Sequence, residues 1–181
     1  MDEIFETWLR RQHDEARALS DTSDVLSLAA ETGAAAPRRF IARFASPTMV
    51  LDGSAVRRAD GFAVLFQFPR DHLRSACDPG QLVHLLGPAN TFHPNVAPPF
   101  ICIGRVAPAT GLCELIYQVH EILTFQKLTP REDDALNRDA CAWARRHMNL
   151  FPLSTAPLRR RTADFSIDEM PVPASPEPRH A

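Results

Sequence analysis

Lysine is almost missing from this chain of 181 residues: 19 of its 20 basic residues are arginine, and Lys127 is the only lysine. Abundant Ala, Arg and Pro make the coding bias of a GC-rich genome one explanation. The alternative is chemical, because a chain poor in amines cannot easily attack an activated acyl group that it carries itself. No Cys-x-x-Cys pair links Cys77, Cys102, Cys113 and Cys141, which argues against a zinc ribbon or a small disulfide scaffold and makes reduced thiols the expectation. A Gly-rich phosphate loop is also absent. No window approaches the roughly 18 to 20 apolar residues of a membrane span. The start of the chain lacks a signal-peptide pattern, so a cytoplasmic location without a membrane partner is expected. A net charge of −2, with Arg159-Arg160-Arg161 as the one basic run, argues against nucleic acid as the main partner. What remains is a chain that is 45% hydrophobic, long enough to bury one core.

The patterning predicts an α+β domain over residues 1–158 and an Arg/Pro-rich, disordered tail over 159–181. Ile4, Phe5, Trp8, Leu9, Gln12, Ala16 and Leu19 recur at helical spacing across residues 2–19. Residues 20–37 read as a connector. From Arg39 the period becomes two, with Phe40, Ala42 and Phe44 on one face. Asp52-Gly53 and Asp60-Gly61 mark turns, residues 62–68 form the strongest strand, and 82–86 add a fourth before Gly87-Pro88. An antiparallel four-stranded meander is the expected sheet. Leu112, Leu115, Ile116, Val119, Ile122 and Leu123 then return to a helical stripe, and a last helix is expected over about residues 136–148, ended by Phe151-Pro152. In the tail, Phe165 and Ile167 could form a short docking peptide.

Between the sheet and these helices lies Phe92-His93-Pro94-Asn95, followed seven residues after the Asn by Cys102 in Phe100-Ile101-Cys102-Ile103-Gly104. With a helix and strand meander before it and two helices after it, this segment resembles the active-site region of the ubiquitin-conjugating enzyme family. The likeness spans roughly residues 2–158 and is most similar to divergent bacterial members encoded in ubiquitin-like conjugation and antiphage operons. It implies that Cys102 accepts a ubiquitin-like protein as a thioester from an activating enzyme and passes it to a target amine. Exchange between thiols needs no strong general base, since an ordinary thiol ionises near pH 8.5. Asn95 would stabilise the oxyanion or brace the loop that does, with His93 and Pro94 supporting the turn. Asp134, with Asp133 as the near alternative, would orient or deprotonate the amine. Arg10, Arg11 and Arg17 on the first helix would meet the activating enzyme. ATP would be consumed by that partner, and no cofactor or metal is implied.

Each assignment has a structural rival. Thr129-Pro130-Arg131-Glu132 is a capping box, so Asp133 and Asp134 could simply favour a helix start. His93 suits a backbone-bonding role in the turn better than a catalytic one, and Asn95 could only cap that turn. Cys102 between Ile101 and Ile103 could be a buried apolar residue, and the three arginines an ordinary solvated face. A zinc site from His93, Cys102, Cys113 and His120 would need unusual spacings. Competing functions are a non-catalytic binding or scaffold module of the same fold and a cysteine hydrolase using His93 or His120. The chain departs from the family in three ways. Asn95 and Cys102 are one residue closer than usual, the Tyr-Pro-x-x-Pro-Pro segment is replaced by Phe68-Pro69-Arg70-Asp71-His72-Leu73, and no Trp follows the Cys.

Overall fold

Asp2 starts the first helix by accepting a hydrogen bond on its carboxylate from the Phe5 amide at 3.3 Å. In the computed structural model, which describes residues 2–129 and 131–160, this helix, α1, runs Glu3–Asp21. Phe5, Leu9, Gln12, Ala16 and Leu19 form its buried stripe. Ile4, expected on that stripe, is 76% exposed, because it lies one residue and so about 100° off the row set by Phe5 and Leu9.

The connector expected over residues 20–37 contains strand β1, Leu26–Ala30. Its few apolar side chains give little signal, and its pairing with β2 (Arg39–Phe44) makes it a strand. The alternation expected in β2 is present, with Phe40, Ala42 and Phe44 buried. The next two segments, β3 (Thr48–Asp52) and β4 (Ala55–Ala59), form a separate two-stranded hairpin turning at Asp52-Gly53, where Gly53 has φ +60°. The meander therefore does not run through them. β2 pairs directly with β5 (Phe62–Gln67), setting Phe40 against Phe66, Ala42 against Val64 and Phe44 against Phe62. Arg57 and Arg58 deny β4 an apolar face of this kind.

A single helical turn, α2 (Pro79–Leu82), leads into β6 (Val83–Gly87), one residue later than expected. Two short strands, β7 (Val96–Ala97) and β8 (Phe100–Ile101), complete a six-stranded antiparallel sheet in the order β1-β2-β5-β6-β8-β7. Thus β1, β2, β5 and β6 run consecutively antiparallel, with the β3–β4 hairpin inserted between the second and third.

The helix α3 (Leu112–Leu123) buries all six of its expected apolar positions. Its N-cap, Gly111, has no side chain to offer, so Gln12 on α1 supplies the acceptor: its Oε1 receives the Leu112 amide at 2.8 Å. Helix α4 is shorter than expected, Arg138–Arg146, and a 3₁₀ turn follows at Met148–Leu150. Asn137 caps α4 through its side-chain oxygen and the Ala140 amide at 2.9 Å. The main core lies between the sheet and the helices α1 and α3. A second, smaller cluster joins Met49 of β3 to Phe125, Ala144, Trp143 and Phe151. This explains why the hairpin leaves the sheet: its apolar residues roof the loop after α3.

The packed chain continues to Arg160, whose amide bonds the Thr22 carbonyl and whose guanidinium pairs with Asp24, while Leu158 is buried. The expected docking peptide at Phe165 and Ile167 lies outside the described residues. Among the described residues, no helix is long and apolar enough to cross a membrane.

Candidate active site

The β3–β4 hairpin fixes the approach to His-Pro-Asn. The Phe92 amide bonds the Met49 carbonyl at 2.8 Å, and Leu51 and Asn90 exchange two bonds of 2.9 Å each, Asn90 accepting on its carbonyl and donating through its side chain. The chain then turns, with the Val96 amide on the His93 carbonyl at 3.0 Å. His93 is fully buried, its Nδ1 accepting the Asn95 amide at 3.0 Å and its ring edge-on to Phe125, with centroids 4.2 Å apart. Nδ1 as acceptor places the ring proton on Nε2, which has no partner meeting hydrogen-bond geometry among the described residues. Burial pushes the imidazole down to about 3, with the nearby carbonyls of Ile122 and Lys127 offsetting part of that. His93 is therefore neutral and sealed from solvent, which suits a turn-holder and not a base.

Cys102 follows β8 directly and faces back across the β7–β8 hairpin. Its amide donates to the Asn95 carbonyl at 2.8 Å, and Asn95 Nδ2 lies 3.4 Å from the Cys102 carbonyl. The thiol is half-buried, and among the described residues nothing hydrogen-bonds its sulfur. The hairpin thus brings His93, Pro94, Asn95 and Cys102 together.

The Asn95 side chain reaches further. Its Nδ2 donates to Thr129 Oγ1 at 2.7 Å, and its Oδ1 accepts the Thr129 amide at 2.9 Å. Thr129 in turn accepts the Cys141 thiol on its carbonyl at 3.4 Å, and the Asn137 amide bonds the Pro94 carbonyl at 3.1 Å. The loop between α3 and α4 is therefore tied to the His-Pro-Asn turn at both ends. Thr129 and Asn137 were not found from the sequence. Asn137, as a capping residue before Arg138-Asp139, carried a usable local signal; Thr129, 34 residues from Asn95, carried none.

Asp134 lies within this tied loop, exposed, with its nearest cation Arg131 at 3.7 Å. Asp133 takes the same guanidinium more closely, at 2.9 and 3.3 Å, and Glu132 bonds Arg145 at 3.3 Å. No hydrogen bond or ion pair joins either aspartate to Cys102 or Asn95 among the described residues. The capping-box alternative does not hold: residues 131–137 form turns, and α4 begins only after Asn137. Pro130, part of that motif, lies outside the described residues.

Arg10, Arg11 and Arg17 project from α1. Arg10 bonds Thr7 at 3.0 Å, Arg11 pairs with Glu15 at 2.7 Å, and Arg17 approaches Asp21 at 4.0 Å. Two of the three positive charges are thus partly offset within the helix.

A different thiol has an imidazole partner. His72 Nε2 donates to the Thr110 carbonyl at 2.9 Å, which leaves Nδ1 to accept from Cys77 Sγ at 3.3 Å. Burial raises the Cys77 thiol and lowers the His72 imidazole, so both favour a neutral pair, and Trp8 and Phe68 enclose the ring. That is a packing arrangement. His120 is likewise engaged elsewhere, with Nε2 3.1 Å from Ser46 Oγ. Neither His93 nor His120 is free to serve a hydrolase. Among the described residues, no group of three His, Cys, Asp or Glu side chains converges to hold a metal. Neither protein-family models nor curated proteins give a match to the chain.

Proposed function

We propose that this protein is an acyl carrier of the ubiquitin-conjugating type: Cys102 takes a ubiquitin-like protein as a thioester and yields it to an amine. The observation that carries the reading is the pairing of the Cys102 amide with the Asn95 carbonyl at 2.8 Å, which sets a half-buried, unpaired thiol on the His-Pro-Asn turn. The order of elements supports it: a helix, four antiparallel sheet neighbours with one hairpin inserted among them, the turn, the thiol and two helices. In this mechanism the Cys102 thiolate displaces the activating enzyme's thiol from the acyl carbon. The acceptor amine then displaces Cys102 in turn. Asn95 acts mainly as a brace, because its amide is occupied by Thr129. Asp134 meets the incoming amine once Arg131 releases it.

One observation favours the second reading, a binding module of the same fold. Asn95 is engaged by Thr129, both aspartates are held near Arg131, and among the described residues no side chain hydrogen-bonds the thiol. Intact mass separates the two. The protein is incubated with ATP and the activating enzyme and ubiquitin-like protein encoded nearest to it, as wild type, Cys102→Ser and Cys102→Ala. The carrier reading expects a thiol-labile adduct, a thiol-resistant ester and no adduct, respectively. A competent, charged activating enzyme that binds the wild type yet leaves no adduct establishes the binding module instead.

A further inference from the structure

The chain's only lysine, Lys127, lies two residues before Thr129, on the loop that Asn95 ties to the candidate thiol site. The Thr129 hydroxyl shares the Asn95 Nδ2 with the Cys102 carbonyl at 2.7 and 3.4 Å; those two oxygens are therefore within about 6 Å of each other. Two residues of backbone add at most about 7 Å. The Lys127 carbonyl also lies near the buried His93 ring. Its side chain is 63% exposed and held to the Glu121 carboxylate, while its amide bonds the Glu121 carbonyl at 3.0 Å. An ion pair open to solvent on its lysine side is weak, so the amine leaves Glu121 readily on a flexible four-carbon stem. Among 20 basic residues, the one that carries a nucleophilic nitrogen is the one on the loop that Asn95 ties down.

We propose that Lys127 is a self-modification site: the acyl group carried on Cys102 passes to Lys127 of the same chain, and Glu121 restrains that transfer. The inference rests on the carrier reading. In the step, the Lys127 ammonium gives one proton to solvent, the free amine nitrogen forms a bond to the thioester carbonyl carbon, the carbon–sulfur bond breaks, Cys102 leaves as thiolate, and the nitrogen gives a second proton to solvent. The product is an isopeptide amide and a regenerated thiol. A chain so modified carries its cargo permanently beside the thiol, which blocks a second round of loading. Arginine elsewhere on the surface offers no competing amine.

A synthetic peptide ending in Gly-Gly, presented as its mercaptoethanesulfonate thioester, loads the protein without any partner. Intact mass is followed over time, with adducts classed by thiol lability and located by peptide mapping. Wild type is expected to gain a thiol-labile adduct on Cys102 that converts to a thiol-resistant one on Lys127. Lys127→Arg should stop at the labile adduct, Cys102→Ala should leave Lys127 unmodified, and Glu121→Gln should speed conversion several-fold. A labile Cys102 adduct that only hydrolyses, or a resistant adduct mapping to the N-terminal amine, overturns the proposal and leaves the carrier reading standing. If Lys127 acylates equally in Cys102→Ala, the transfer does not pass through the thiol and the proposal is wrong. If Cys102 takes no label while other thiols in the chain do, the carrier reading and this inference fall together.

Discussion

Removing the Asn95 side chain should loosen two distant parts of the chain at once. The side chain makes two bonds of good length to Thr129, at 2.7 and 2.9 Å, and a long contact of 3.4 Å to the Cys102 carbonyl that counts for little. Each good bond contributes about 0.5 to 1.5 kcal/mol, and the stranded Thr129 amide adds about 1 to 3, so Asn95→Ala should cost about 2 to 6 kcal/mol. With an unfolding slope of about 2 kcal/mol per molar urea, the midpoint falls by about 1 to 3 M. Thr129→Val removes only the hydroxyl and should cost about 1 kcal/mol, and the double variant should cost about 1 kcal/mol less than the sum of the singles. Asn95→Asp divides bracing from oxyanion donation. A carboxylate still accepts the Thr129 amide, and the Thr129 hydroxyl can turn to donate to it, yet it offers no N–H to a developing oxyanion. Bracing therefore predicts that Asn95→Asp keeps most of the stability and most of the thioester discharge rate. An Asn95→Ala variant with an unchanged urea midpoint would refute the brace, and a fully stable Asn95→Asp that loses discharge by about 100-fold or more would restore the oxyanion role.

Acid should destabilise the fold well above the usual carboxylate range. Burial pushes His93 to about 3 and His120 to about 4, while the unfolded chain titrates both near 6.5. The unfolded state therefore binds more protons, so stability is complete above about pH 6.5 and falls as pH drops toward 4, by up to about 1.4 kcal/mol per unit for each histidine; a urea midpoint constant from pH 7.5 to 5.0 would sink this. A methyl group at Gly111 would lie 2.8 Å from Gln12 Oε1, the acceptor that caps α3, so Gly111→Ala and Gln12→Ala should each lower stability by about 1 to 2 kcal/mol and share that loss in a double variant. Cys141 is fully buried and burial raises its thiol, whereas Cys102 is half-buried, so iodoacetamide should label Cys102 under native conditions and Cys141 only as the protein unfolds; equal rates would contradict the packing. Arg131→Ala frees both aspartates and should raise amine discharge if Asp134 receives the amine, while Asp134→Ala lowers it by about 100-fold; discharge that ignores both changes removes Asp134 from the site.

Legibility followed the range of the interactions. The α3 stripe from Leu112 to Leu123 and the β2 alternation from Arg39 to Phe44 are local patterns that burial enforces, and both stand where the sequence put them. The Leu26–Ala30 strand escaped because its pattern is weak and its identity comes from five residues of pairing with β2. The β3–β4 hairpin misled for a related reason: its turn at Asp52-Gly53 was plain, but nothing in Thr48–Asp52 told that Met49 would serve Phe125 and Ala144 instead of the main sheet. At the site, the short hairpin joining Asn95 to Cys102 was within reach of spacing, whereas the loop that Asn95 holds was not. That difference bears on the proposed function, because three side-chain and backbone bonds over 34 and more residues hold the loop that carries Asp134 to the turn that precedes Cys102. A chain that kept His-Pro-Asn and Cys102 but lost the Thr129 hydroxyl would keep the motif and lose one of those three ties. The motif alone therefore does not specify the arrangement, which also depends on bonds to Thr129 and Asn137 that the tripeptide does not contain.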